Sequence, residues 1–522
     1  VLAIRLVADP DGIAALALPV RPADARAAAA GADSAVGAAG GDSAVAALAP
    51  TALAVPAEVI AEATALLPEV EHTGAAGVVH RSIRPLRAPS RLLLTGVGAG
   101  DEADWRAAGA ALARAGARER SITIAMPADV TADAVRGLAE GLWLASYRFR
   151  LPDQSVAGHE PAADGDQPPV LGEALVAVAE PGRYEAALAA ARATAEGTRF
   201  ARDLTNTPSS LKSPAWFAAQ VTAAAAGHAG LSVSVREPTQ LAAEGFGGIL
   251  AVGAGSARGP RLVELGWHPA DARTHVVLVG KGITFDTGGI SVKPRDAMKL
   301  MRKDMGGAAA VVAATIGAAA LRLPVRVTAL APLAENMLSG AAFRPGDVIR
   351  HYGGVTSETT NSDAEGRLVV ADALAYAVDR LAPDLLVDLA TLTGANAVAL
   401  GKRTAALYSD SDELAGAVLA GAADAGELAW RMPLPTDYVE YLGSELADFY
   451  SAPDRGAGSV VAALYLREFT GELRDRWVHL DMSAPSWAES DDGELTKGAT
   501  GWGVRTLLRW LAGLTAADPL NV

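Results

Sequence analysis

Short apolar runs of β-branched residues alternate with longer stretches of helical period along most of this chain. Val1 to Val7 predicts a first strand, and Arg91 to Val97 reads as a buried one. A glycine turn, a helix from about Glu102 to Ala115 and a strand near Ile122 follow, predicting a small α/β domain whose last element ends around Tyr147-Arg148-Phe149. From Arg21 to Pro50 the sequence is nearly all Ala, Gly, Asp and Ser, with Asp33-Ser34-Ala35-Val36 echoed at Asp42-Ser43-Ala44-Val45; no apolar face can be buried there, so a flexible insertion is expected. Asp153 to Pro169, rich in Pro, Gly and Asp, reads as a connecting loop. Beyond it a long Ala-rich helix from about Tyr184 to Asp203 leads to a plain strand–helix rhythm. Strands are expected at Val276 to Val279, Val325 to Leu330 and Leu385 to Leu389, and helices at Gly306 to Leu321 and Leu368 to Arg380. That alternation argues for a mostly parallel central sheet covered by helices on both faces. The expected division is an N-terminal α/β domain over 1–170 and a larger C-terminal domain over 171–522.

Composition sharpens this picture chiefly by exclusion. A length of 522 residues suits two domains, and half of them are hydrophobic with few aromatics. Acidic residues outnumber basic ones by 60 to 45, a formal charge of −15, which opposes nucleic-acid binding and favours cationic or neutral ligands. The absence of cysteine removes disulfides, thiolate zinc sites, iron–sulfur clusters and a Cys nucleophile. There is no uninterrupted apolar run of 18 residues and no basic-then-apolar leader, so no membrane partner is expected and the cytoplasm is the default location.

Three polar clusters fall where strands of the second domain should end, the usual place for ligands in such sheets. Gly280 to Gly289 contains Lys281 and Asp286, with Lys293 shortly after. A phosphate-loop reading fails there: His275 stands where the first glycine belongs, and Gly282 follows the lysine. Met301 to Gly307 contains Asp304, which could equally be a helix cap. Asn361 to Leu368 contains Asp363, Glu365 and Arg367, which in extended chain would all point to one side; Ser362 and Glu365 also have the spacing of a capping box. Together Asp286, Asp304, Asp363 and Glu365 form an oxygen-rich set suited to Mg, Mn or Zn. Four carboxylates exceed the needs of one ion and fit a pair about 3.5–4 Å apart. No HExxH and no GxSxG motif is present.

At these residues the chain resembles the leucyl (cytosol) aminopeptidase family of two-metal exopeptidases. The family signature Asn-Thr-Asp-Ala-Glu-Gly-Arg-Leu appears as Asn361 to Leu368 with Ser362 for Thr. The Lys281 and Asp304 segments, Ala390 to Ala395, Trp477 to Asp481 and Lys497 to Gly501 match in the same order. The likeness runs from about Ala201 to Leu514 and is looser before it. It implies one metal held by Asp286, Asp363 and Glu365, and another by Lys281, Asp286, Asp304 and Glu365. As a ligand Lys281 must be neutral, with its pKa lowered by the dications. The resemblance further implies Lys293 on the oxyanion, a bicarbonate on Arg367 as general base, and substrate contacts from Met301, Asn361, Thr391, Leu392 and Gly394. It implies two Mn or Zn ions per subunit (Mg or Co being alternatives), a metal-bridged water as nucleophile, peptide substrates with a free N-terminus, and a homohexamer. Leu338 replaces the family's usual Pro, and Met482-Ser483-Ala484 departs from its Ile-Ala-Gly, which bears on the preferred N-terminal residue. Competing readings are another two-metal amide or phosphoester hydrolase, a DNA-binding accessory protein on the same fold, which would need a basic stripe, and an inactive homologue.

Overall fold

The computed structural model describes residues 2–23, 46–151 and 170–514. Most of the expected insertion and connecting loop lies outside the described residues. The chain forms two compact units, Val1–Ala195 with Ser490–Thr496, and Glu196–Glu489 with Lys497–Val522.

In the first unit the strands are β1 (Ala3–Val7), β2 (Ala15–Arg21), β3 (Ala47–Leu48), β4 (Val79–Ile83), β5 (Arg91–Gly96), β6 (Ser121–Ala125) and β7 (Glu173–Ala177), in the order β1-β7-β6-β2-β5-β4 with β3 on β2. All neighbours are parallel except β4 on β5 and β3 on β2. Helices α1 (Ala57–Glu69), α2 (Glu102–Ala115) and α3 (Ala132–Ala145) connect them. Asp101 and Thr131 cap α2 and α3 by accepting from the Asp104 and Ala134 amides. Two expectations need correcting. The boundary at 170 falls short, because β7 pairs with both β1 and β6 and the unit continues to Ala195. The stretch to Pro50 is not wholly irregular either, since Val20 pairs with Leu48.

The division between the units falls inside α4 (Glu185–Asn206). The second unit contains β8 (Leu231–Arg236), β9 (Arg261–Trp267), β10 (His275–Gly280), β11 (Gly282–Asp286), β12 (Arg326–Asn336), β13 (Val348–Arg350), β14 (Thr356–Glu358), β15 (Leu385–Ala390), β16 (Ala405–Tyr408), β17 (Ala429–Arg431), β18 (Phe449–Tyr450) and β19 (Trp477–Asp481). The main sheet runs β17-β16-β19-β15-β10-β12-β9-β8, with β11 beside β12. Strands β19, β15, β10 and β12 are mutually parallel, so their carboxyl ends share one edge. β13, β14 and β18 form a small separate sheet.

Both faces of the main sheet are covered, which explains the unbroken apolar runs. Along β10, Val276 and Leu278 join one buried cluster and Val277 and Val279 the other. α5 (Pro214–Ala225), α6 (Gly306–Ala320) and α9 (Val504–Leu514) supply the first cluster; α7 (Glu365–Tyr376) and α8 (Gly458–Arg467) supply the second. α6 is buried from Gly306 to Ala319, as its all-round apolar surface requires. No helix among the described residues is long and apolar enough to cross a membrane.

Candidate active site

The expected carboxylates converge at the shared strand edge. Lys281 follows β10 directly, with its amide donating to the Leu389 carbonyl at 2.9 Å and its own carbonyl accepting from the Ala308 amide at 2.9 Å. Asp286 is the last residue of β11, and Asp304 ends a tight turn over Met301–Lys303. Asp304 does not cap α6, whose N-cap is Met305 without a side-chain bond. Nor is 363–367 extended: Asn361 Oδ1 accepts from the Asp363 amide at 2.9 Å, closing a turn, and α7 begins at Glu365. The capping-box alternative also fails, since Ala364 is the N-cap and the Ser362 hydroxyl donates instead to the Gly288 carbonyl at 2.7 Å. A turn followed by a helix start, rather than an alternating strand, therefore brings Asp363 and Glu365 together.

Six side chains form the centre. Lys281 Nζ lies 2.8 Å from Asp304 Oδ2 and 3.0 Å from Glu365 Oε1, and donates to the Thr391 carbonyl at 3.0 Å. Lys293 Nζ lies 2.8 Å from Asp286 Oδ2 and also contacts Asp363 Oδ1. Asp286, Asp363 and Glu365 each offer an oxygen within 4.8 Å of the others. Asp286 Oδ1 accepts from the Gly288 amide and from Asn336 Nδ2, both at 2.8 Å. Thr391 Oγ1 donates to Asp304 Oδ1 at 2.7 Å, so Thr391 orients a carboxylate here beyond the substrate contact expected of it. Arg367 is buried and donates to the Ser451 carbonyl at 2.6 Å, with no ion pair among the described residues. Asn361 holds the turn; Met301 stands on the Asp304 turn, and Leu392 and Gly394 on the loop after Thr391. No side chain of Met301, Leu392 or Gly394 joins the hydrogen-bonded cluster among the described residues.

Two glycines make room for this. A Cβ on Gly366 would lie 2.3 Å from Lys281 Cε, so only glycine lets the lysine pass the start of α7. Gly288, at φ +86°, turns the chain so tightly that a Cβ would meet the Ser291 carbonyl at 2.5 Å and Asp363 Oδ1 at 2.9 Å.

The electrostatics are those of a site short of positive charge. Burial and the neighbouring Glu365 push Asp286 up to about 7 against the pull of Lys293 and Lys281. Burial likewise raises Asp304 and Glu365. Burial alone would lower the two lysines, yet the surrounding carboxylates outweigh it and both are raised. Two ammonium groups leave four carboxylates with a net negative excess, which protons or metal cations must balance. Glu365 Oε1 and Oε2, Asp304 Oδ2 and Asp363 Oδ1 are buried without a hydrogen-bond partner; Glu365 Oε1, Asp304 Oδ2 and Asp363 Oδ1 have a lysine charge beside them. Open carboxylate lone pairs around a buried negative excess fit divalent cations.

A model of the cytosol aminopeptidase family's catalytic domain matches residues 199–508, and its N-terminal-domain model matches residues 20–151. The chain belongs to the cytosol aminopeptidase family. It is therefore a peptidase of a metal-dependent aminopeptidase family. A probable cytosol aminopeptidase of Streptomyces coelicolor is 44% identical over 493 residues, covering 91% of this chain and 94% of that one. Among solved structures, the bottromycin maturation enzyme BotP in complex with Mn superposes with a TM-score of 0.77 at 39% identity, over 88% of this chain and 97% of that one. A mutant tomato leucine aminopeptidase gives 0.79 at 27% identity, over 98% and 96%.

Two contributors escaped the sequence reading. Asn336, at the end of β12, donates to both Asp286 and the Ser362 carbonyl. Asp481, at the end of β19, accepts from the Leu392 and Thr393 amides, the Thr393 hydroxyl and Asn396 Nδ2, fixing the loop beyond Thr391. Asp481 closes the Trp477 to Asp481 segment that matches the family, but the role of each residue is marked only by a polar type at the end of a buried strand.

Gly366→Ala is expected to displace Lys281 and lower aminopeptidase kcat/KM by roughly 10²-fold in protein that remains folded. Steady-state kinetics with circular dichroism checks this; undiminished activity would contradict the packing argument.

Proposed function

We propose that this chain removes the N-terminal residue from peptides bearing a free α-amine, with leucine and other mainly hydrophobic residues preferred. The supporting observation is the convergence of four carboxylates with open lone pairs around Lys281 and Lys293. One divalent ion would be held by Asp286, Asp363 and Glu365, whose oxygens already cluster. The other would be held by Lys281, Asp286, Asp304 and Glu365; the seat of Lys281 between Asp304 and Glu365 supports this set. Mn or Zn is the preferred pair, with Mg or Co as alternatives. Such ions would supply Lewis acidity toward the scissile carbonyl and an attacking water, and bicarbonate on Arg367 would supply the general base.

The chain's own groups do the rest. The Lys293 ammonium, seated on Asp286 and Asp363, would stabilise the developing oxyanion once cations shared those carboxylates. Thr391 and Asn336 hold Asp304 and Asp286 in orientation. The buried guanidinium of Arg367, which has no ion pair among the described residues and donates to the Ser451 carbonyl, suits a small anion. A homohexamer in the cytoplasm completes the reading and rests on the family alone.

Chelation should abolish hydrolysis of leucyl amide, and Mn or Zn should restore it, while the N-acetylated substrate should be refused throughout. Full activity in verified metal-free protein would overturn the proposal.

Role assignment is tested by two substitutions. Glu365→Ala should lose both ions together with activity. Lys293→Ala should keep both ions and near-native KM, with kcat down about 10²–10³-fold, the scale for one oxyanion stabiliser. Elemental analysis alongside kinetics decides it: an emptied site in Lys293→Ala, or two ions retained in Glu365→Ala, would show the roles to be wrong.

A further inference from the structure

Lys212 is fully buried, two residues before α5, and makes no ion pair among the described residues. Burying an amine in an apolar interior is costly unless each N–H finds an acceptor. Here three acceptors surround Nζ. It donates to the Thr205 carbonyl at 2.9 Å near the end of α4, to the Arg302 carbonyl, and to Met305 Sδ at 3.2 Å. The last two residues flank Asp304, one on each side of it in the chain.

The turn that carries Asp304 is short and has no side-chain cap of its own. The Ile283 amide of β11 donates to the Asp304 carbonyl at 3.2 Å, and three side-chain contacts add to it. Lys303 Nζ donates to the Ser483 carbonyl at 2.7 Å, and the Arg302 guanidinium lies 4.9 Å from the centre of the Trp487 ring. Lys212 supplies the third, and it alone of these touches residues on both sides of Asp304. Its reach from the end of α4 fixes the backbone on either side of the carboxylate that meets Lys281 and Thr391. Asp286, Asp363 and Glu365 are held by other elements: β11, the 361–364 turn and α7.

We infer that Lys212 is a positioning residue for Asp304, holding the turn so that one of the two proposed metal positions, the one shared with Lys281, is formed in advance. The inference rests on the two-ion reading above. It separates the two positions: loss of Lys212 should weaken the ion on Asp304 and leave the ion on Asp286, Asp363 and Glu365 nearly untouched. Loss of an orienting contact behind a ligand typically weakens metal affinity by about 10–100-fold.

The test uses the full chain and Mn alone, with free Mn counted by electron paramagnetic resonance and melting followed on the metal-free protein. Wild type should bind two ions per subunit. Lys212→Met, of similar length but without donors, should bind the first as wild type does and the second about 10–100-fold more weakly. Lys212→Gln, which retains donors on a shorter stem, should show a smaller loss at the same position. Two ions at wild-type affinity in Lys212→Met overturn the inference, and so does equal weakening of both ions, which would mean a general structural role. Should Lys212→Met fail to fold, Lys212→Gln carries the comparison, and unchanged or equally weakened ions there overturn the inference. Wild-type protein that binds no Mn overturns the two-ion reading along with it.

Discussion

Four carboxylates cannot share a buried pocket as bare anions; each lone pair taken from water must be returned a cation or a donor. In this chain the return is incomplete. Lys281 and Lys293 lie among Asp286, Asp304, Asp363 and Glu365, and several carboxylate oxygens still have no hydrogen-bond partner. That deficit is the feature around which the catalytic unit is built. The parallel strands deliver their carboxyl ends to one edge, where Lys281 just after β10, Asp286 at the end of β11 and Thr391 just after β15 supply polar groups, while the mostly apolar, buried strands hold the edge rigid.

Rigidity matters because the arrangement stores like-charge repulsion. The compensating contacts are local and specific: Asn336 and the Gly288 amide on Asp286, Thr391 on Asp304, and the close passage of Lys281 beside Gly366. Each removes a freedom that a carboxylate would otherwise use to relax away from its neighbours. A site prepared in this way favours cations without first having to be assembled.

Much of this was legible in the chain. Strands such as β10 and β15 stand out because burial on both faces makes them mostly apolar, and residues just after them carry part of the chemistry. Asn361 to Leu368 identifies the family by itself, and its resemblance places the candidate ligands. What alternation could not show was the local path. Asp363, Glu365 and Arg367 look like one face of a strand, yet the Asn361 side chain closes a turn and α7 starts at Glu365. The edge of the first unit was misplaced because β7 is a short strand lying beyond the connecting loop, and nothing in its five residues says which sheet it joins. The roles of Asn336, Asp481 and Lys212 escape a linear reading for a common reason: each is an ordinary residue type that depends mainly on partners 26 to 93 positions away.

On the two-ion proposal, the Lys293 ammonium stands on Asp286 and Asp363 in place of cations that this pocket is shaped to hold. Anomalous diffraction from crystals of the protein soaked in Mn tests it most directly. Two peaks about 3.5–4 Å apart among the four carboxylates, with Lys293 released from Asp286 and Asp363, are expected. A single peak, or none with both lysines still seated on their carboxylates, would contradict it.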